Sequence, residues 1–112
     1  MGKLSEPSED LVSRVLSEVG FEDRLMGYRF RERTGPISMK LYSFEEVVEF
    51  LNDPHPRIDF NHLEEWVRGV MKDEELAGKI NKIILRDNSD QKKSIQIRDM
   101  MGKRLLQCIK RV

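Results

Sequence analysis

The sequence predicts a mainly α fold: a bundle of about five helices with one short β-hairpin or extended strap over residues 26–42. Three observations predict it. Apolar residues recur at intervals of three and four along most of the chain, the spacing of a single buried helix face. Between residues 26 and 42 the period drops to two, the repeat of a strand. Charged residues make up 36% of the chain, above the roughly 25% of an average globular domain, as long solvated helix faces require.

Residues 1–7 read as a flexible arm and residues 8–112 as a single helical domain, a length that suits one core. The first helix is expected from near Ser8 to Gly20, with Leu11, Val12, Val15, Leu16 and Val19 on its stripe and Gly20 available for a left-handed cap. Met26, Tyr28 and Phe30 then alternate with Gly27, Arg29 and Arg31, and Ile37, Met39 and Leu41 with Ser38 and Lys40. Arg33-Thr34-Gly35-Pro36 between them is turn chemistry. Ser43 and Glu46 form a capping box, the serine oxygen taking the amide of the fourth residue and the glutamate returning to the serine amide. Phe44, Val47, Val48 and Leu51 form the buried side of that helix, with Phe50 at its margin. Pro54 and Pro56 end it, since proline removes a donor and clashes with the preceding turn.

A Trp-bearing helix is expected from near Asn61, with Leu63, Trp66, Val67, Val70 and Met71 inward. Asp73 is placed to cap the next, in which Leu76, Ala77, Ile80, Ile83 and Ile84 face the core. After a polar link over 86–93, the last helix is expected from about Ser94 to Arg111. Its long periodic continuation favours helix over the strand that the alternation of Ser94–Arg98 alone suggests. With Cys108 the sole cysteine, no intramolecular disulfide or cysteine-based zinc cluster forms. The longest aliphatic run is Ile83-Ile84-Leu85, far below the roughly 20 residues of a membrane span. No signal-peptide core or myristoylation pattern opens the chain, so a cytoplasmic protein without membrane contact is expected.

The block Phe60–Val67, followed by Asp73–Ile80, is similar to the distal part of a small prokaryotic (bacterial and archaeal) domain family of unknown function. In that family an aromatic segment near a Thr-Gly step precedes a helix, and a Trp-bearing helix and an Asp/Glu-Leu-Ala helix follow. Phe30, Thr34-Gly35, Ser43 to Leu51, Trp66 and Leu76-Ala77 take those places here, so the resemblance spans roughly residues 28–105. It implies a histidine-bearing stretch at His55, within a segment, Asn52 to Ile58, that is short by comparison. It brings no established activity.

Formal charge sums to zero but is sorted along the chain. Residues 43–78 hold ten carboxylates against three basic side chains, and residues 90–112 seven Lys/Arg against two Asp. Such a two-poled field points either to a docking face or to helices that neutralise one another. Tyr28, Arg29, Arg31 and Arg33 on the hairpin, Trp66, and Lys103, Arg104, Lys110 and Arg111 on the last helix are therefore the candidate interaction residues. Aromatics interleaved with arginines resemble a stacking surface for single-stranded nucleic acid, although alternation sends Tyr28 and Phe30 to one side and Arg29 and Arg31 to the other.

His55, Asp59 and His62 are the one donor cluster containing imidazoles and the candidate metal site. The pairs Glu45/Glu46, Glu64/Glu65 and Glu74/Glu75 are each expected in a first helical turn, where the helix field favours them by roughly 0.3–1 kcal/mol each without any catalytic role. No phosphate loop or nucleophile elbow is present. A helix-turn-helix reading of the two central helices fails because Asp73-Glu74-Glu75 would open the recognition helix against phosphates. The expectation is a small non-catalytic interaction or adaptor module without a cofactor, meeting a protein partner or a second copy of itself. Its alternatives are non-specific RNA or single-stranded DNA binding through the hairpin and last helix, and a small enzyme or metal site at His55, Asp59 and His62.

Overall fold

Five α-helices and one antiparallel hairpin make up the described part of the chain: α1 (Glu9–Val15), β1 (Leu25–Arg31), β2 (Gly35–Leu41), α2 (Phe44–Leu51), α3 (Phe60–Gly69), α4 (Glu74–Arg86) and α5 (Asp90–Lys110). The structure is a computed structural model and describes residues 4–33, 35–53, 56–86 and 89–112, without the side chains of Phe30 and Arg31. One core runs through all the helices. Phe44 and Val47 of α2, Leu63 and Val67 of α3, Leu76 and Ile80 of α4, and Ile97 and Met101 of α5 are completely buried in it. Among the described residues no helix is long and apolar enough to cross a membrane.

α1 is shorter than the expected 8–20. Ser8 caps it, its hydroxyl accepting from the Leu11 amide at 3.2 Å. The helix stops because the Val19 amide donates to the Tyr42 carbonyl at 2.7 Å, extended pairing that a helical residue cannot make. Leu11 and Val15 are buried, whereas Leu16, expected on the same stripe, is 41% exposed. The expected loose arm is docked from Leu4 onward: Leu4 is 7% exposed, and the Gln107 amide donates to its carbonyl at 3.1 Å.

The hairpin is present, with Leu25 opposite Leu41, Gly27 opposite Met39 and Tyr28 opposite Ser38. Gly35 opens β2 at φ 74°, a left-handed conformation natural to glycine. Period-two pleating gives the hairpin an inner face with Leu25, Gly27, Met39 and Leu41 and an outer face with Tyr28, Ser38 and Lys40. On the inner face a Cβ at Gly27 would lie 2.6 Å from Cζ of Phe50. Phe50, expected at the margin of α2, is 2% exposed because the missing side chain of Gly27 makes room for its ring.

Ser43 caps α2 as expected, accepting from the Glu46 amide at 3.1 Å. Glu46, however, returns to the Tyr42 amide at 2.6 Å rather than to that of Ser43. α3 begins one residue earlier than expected because Asp59 caps it, its Oδ1 accepting from the amides of Asn61 and His62 at 2.9 and 3.2 Å. Trp66 ties the helix to the short 3-10 turn Phe21–Asp23, its indole N–H donating to the Asp23 carbonyl at 2.7 Å. α5 starts at Asp90, so Ser94–Arg98 is helical and Ser94 is buried.

Replacing Gly27 with Ala forces the Phe50 ring out of its notch. The expected loss is about 1–3 kcal/mol, typical of overpacking, partly recovered in Gly27→Ala/Phe50→Leu. Urea unfolding followed by Trp66 fluorescence measures both.

Candidate functional site

The candidate site lies between α4 and α5, and a buried ion network fixes how those helices meet. Asp73 caps α4, its Oδ1 accepting from the Leu76 amide at 3.1 Å. Its other oxygen accepts from Nε of Arg104 on α5 at 2.8 Å. Arg104 and Asp73 are 1% and 3% exposed. The remaining guanidinium donors are also satisfied: Nη2 reaches Glu75 Oε1 at 2.9 Å, and Nη1 reaches the Ser5 carbonyl at 2.7 Å and Gln107 Oε1 at 2.8 Å. A buried charge persists when it is paired and hydrogen-bonded in this way.

Glu75 closes the network by accepting from the Ser5 amide at 3.1 Å and the Ser5 hydroxyl at 2.9 Å. Desolvation alone would raise the Glu75 carboxyl. The Ser5 hydrogen bonds and the Arg104 guanidinium outweigh it and hold the carboxyl below its ordinary value. Lys72, at φ 59°, turns the chain so that the Asp73 amide reaches the Val67 carbonyl at 3.0 Å while its carboxylate faces Arg104.

With the two helices so held, Lys79, Lys82, Ile83 and Arg86 of α4 face Gln96, Asp99, Met100 and Lys103 of α5 across a groove of about 380 Å³. On each helix the residues are spaced at i, i+3, i+4 and i+7, a single stripe running about 10 Å along the axis. Ile83 and Met100 supply the apolar floor, and four cations against Asp99 supply the rim. Arg86 is engaged with Gln96 Oε1 at 2.6 Å, and Asp99 pairs with Arg98 at 3.1 Å. Among the described residues Lys79, Lys82 and Lys103 have no carboxylate within ion-pair distance.

The other candidates are distributed as follows. Lys103 is exposed on the groove rim, while its neighbour Arg104 is interior. Lys110 is exposed, and Arg111 bonds the Pro7 carbonyl at 2.9 Å and Glu6 at 3.3 Å. Trp66 is 5% exposed in the core. Tyr28 is 46% exposed on the outer hairpin face. Arg29 turns to the opposite face, its Nε 3.0 Å from Asp53 in a charge contact that lacks hydrogen-bond alignment. Arg33 is exposed at the turn, and the side chain of Arg31 lies outside the described residues.

Of the candidate metal donors, Asp59 is engaged as the α3 cap, His62 is exposed in the first turn, and His55 lies outside the described residues. No group of three or more His, Cys, Asp or Glu converges among the described residues. Cys108 is completely buried. Burial pushes its thiol up, against the opposing field of Arg104, so it is held as the unreactive thiol.

The sequence marks Lys79, Lys82 and Arg86 only by their spacing at i, i+3 and i+7, since their segment carries a modest excess of charge. Comparison with family models, with curated proteins and with solved structures finds no match.

Arg104→Ala leaves Asp73 buried without its partner and is expected to destabilise the fold by about 3–5 kcal/mol, read as a lower urea midpoint. Arg104→Lys restores the charge but not the fork of donors and recovers only part. Because the Glu75 pKa is depressed in the folded state, its contribution is complete above the ordinary carboxylate value and is lost as pH falls through the folded one. A stability–pH profile over roughly pH 2–6 should therefore fall less steeply for Glu75→Gln than for the unsubstituted protein.

Proposed function

We propose that this small helical domain is a non-catalytic interaction module that holds an acidic, partly apolar protein segment in the α4–α5 groove. The observation that carries the reading is the state of the cations. Arg29, Arg68, Arg98, Arg104 and Arg111 each have an acidic partner within the fold. Lys79, Lys82 and Lys103, around Ile83 and Met100, have none among the described residues. A cationic rim over an apolar floor complements a segment whose carboxylates flank one or two aliphatic side chains. The floor argues against a site for phosphates alone, which need charge but no apolar surface. On the hairpin, Tyr28 and Arg29 point to opposite faces, which gives the nucleic-acid alternative less support.

A fluorescein-labelled peptide of alternating Glu and Leu, titrated by anisotropy against a labelled oligothymidylate of equal charge, tests this. The peptide is expected to bind, and to bind more tightly than the oligonucleotide. Lys79→Glu/Lys82→Glu should weaken it by about tenfold, two exposed charge contacts being worth up to roughly 1 kcal/mol each. Preference for the oligonucleotide, or unchanged peptide binding in the double variant, would refute the proposal.

A further inference from the structure

The two strands of the hairpin bond to each other, and their outer edges differ. On the β1 edge Tyr28 spends both backbone groups on Arg57, donating to its carbonyl at 2.7 Å and accepting from its amide at 3.3 Å. Tyr28 and Ser38 are therefore a pair that exchanges no hydrogen bonds between the strands. By the alternation of an antiparallel ladder, Ser38 turns its N–H and C=O away from β1, and so do Pro36 and Lys40 two residues to either side. Pro36 agrees, since a strand accommodates proline where the missing N–H faces outward. Further along this edge the Val19 amide donates to the Tyr42 carbonyl at 2.7 Å. From Lys40 back to Pro36 no such partner follows among the described residues, and Pro36, Ser38 and Lys40 are exposed.

We infer that the β2 edge over Pro36–Lys40 takes an extended acidic segment of a partner protein as a third strand, antiparallel as Glu18 is to Ser43 on the same edge. The backbone requires the extended form. The N–H and C=O groups of Ser38 and Lys40, with the C=O of Pro36, repeat roughly every 6.8 Å. That is the repeat of another strand, and a free sheet edge binds peptides through it.

The side chains select the acid. Arg24 Cζ and Lys40 Nζ lie 3.8 and 5.6 Å from the centre of the Phe21 ring, which is 59% exposed. Neither cation has a carboxylate within ion-pair distance among the described residues. A carboxylate opposite Lys40 forms a favourable cross-strand pair. Ile37 and Met39 alternate with these residues on the half-buried inner face, so aliphatic residues suit the positions opposite them. A second copy is the poorer occupant. Its β2 brings another Lys40 and no carboxylate, the encounter by which an edge lysine discourages pairing of like with like. The edge shares no residue with the α4–α5 groove.

In the free protein, amide hydrogen exchange read by NMR should be fast at Ser38 and Lys40 and slow at Ile37 and Met39, which bond to β1. A fluorescein-labelled peptide Glu-Val-Thr-Val-Thr should slow and shift the Ser38 and Lys40 amides. By anisotropy, Lys40→Glu should weaken its binding by about fivefold. Ser38→Pro, which an edge strand accommodates, should weaken it by about tenfold, and so should methylation of the peptide's central amide. Lys79→Glu/Lys82→Glu should leave it unchanged. Slow exchange at Ser38 and Lys40 in the free protein, full binding of the methylated peptide, indifference to Lys40→Glu and Ser38→Pro, or loss only in Lys79→Glu/Lys82→Glu would overturn the inference.

Discussion

Arg104 carries a full charge into the interior, and much of the architecture around it can be understood as the set of partners that keep it there. An unpaired guanidinium at that depth would be prohibitive. Asp73 answers it from the start of α4, Glu75 from the first turn of the same helix, and the Ser5 carbonyl and Gln107 complete the donors. Each partner has a second task. Asp73 also caps α4, Glu75 also takes the Ser5 amide and hydroxyl, and Gln107 also holds the Leu4 carbonyl. One side chain of α5 thus locks the beginning of α4 and the N-terminal segment together. Hydrophobic burial drives the helices together without direction; the fork geometry of arginine and carboxylate adds a specific register.

That register has a consequence at the surface. With α4 fixed against α5 at their Asp73–Arg104 contact, their outer stripes run side by side and enclose Ile83 and Met100. The rim lysines need no special fold of their own. They are ordinary solvent-facing residues, brought to one groove by the packing of two helices. The same rotation of α5 leaves Ile95, Leu106 and Ile109 exposed, roughly 100° round the helix from the groove residues.

The segregation of charge along the chain is partly dissolved in three dimensions. Asp73 and Glu75 meet Arg104, Asp53 meets Arg29, Glu64 meets Arg68, and Glu6 meets Arg111. The acidic centre is further drawn into capping, with Glu46 on the Tyr42 amide and Asp59 on the start of α3. Arginine takes the interior place at position 104 because a planar guanidinium satisfies several acceptors at once in a crowded site, whereas the ammonium groups of Lys82 and Lys103 remain hydrated at the rim.

The elements of the fold were legible in the sequence because local chemistry specifies them. Ser8, Ser43 and Asp73 mark helix starts through hydroxyl or carboxylate caps, the alternation around Gly35 marks the hairpin, and the stripes of α2 to α5 mark their buried faces. Two expectations failed through distant partners: α1 ends where the Val19 amide meets Tyr42, and Phe50 is buried because Gly27 admits its ring; α3 and α5 instead start earlier than expected at local caps, Asp59 and Ser89. Of the site, Lys103 was legible as a surface cation, but Lys103 and Arg104 are adjacent and similar in charge, and nothing local separates the groove rim from the core. The roughly 100° between successive helical residues turns that one step into opposite environments once packing fixes the rotation of α5. Sequence determined which segments are helical and which side of each is apolar. Tertiary structure alone decided which charges meet, because residues 31 apart, such as Asp73 and Arg104, acquire a distance only when the helices that carry them are packed.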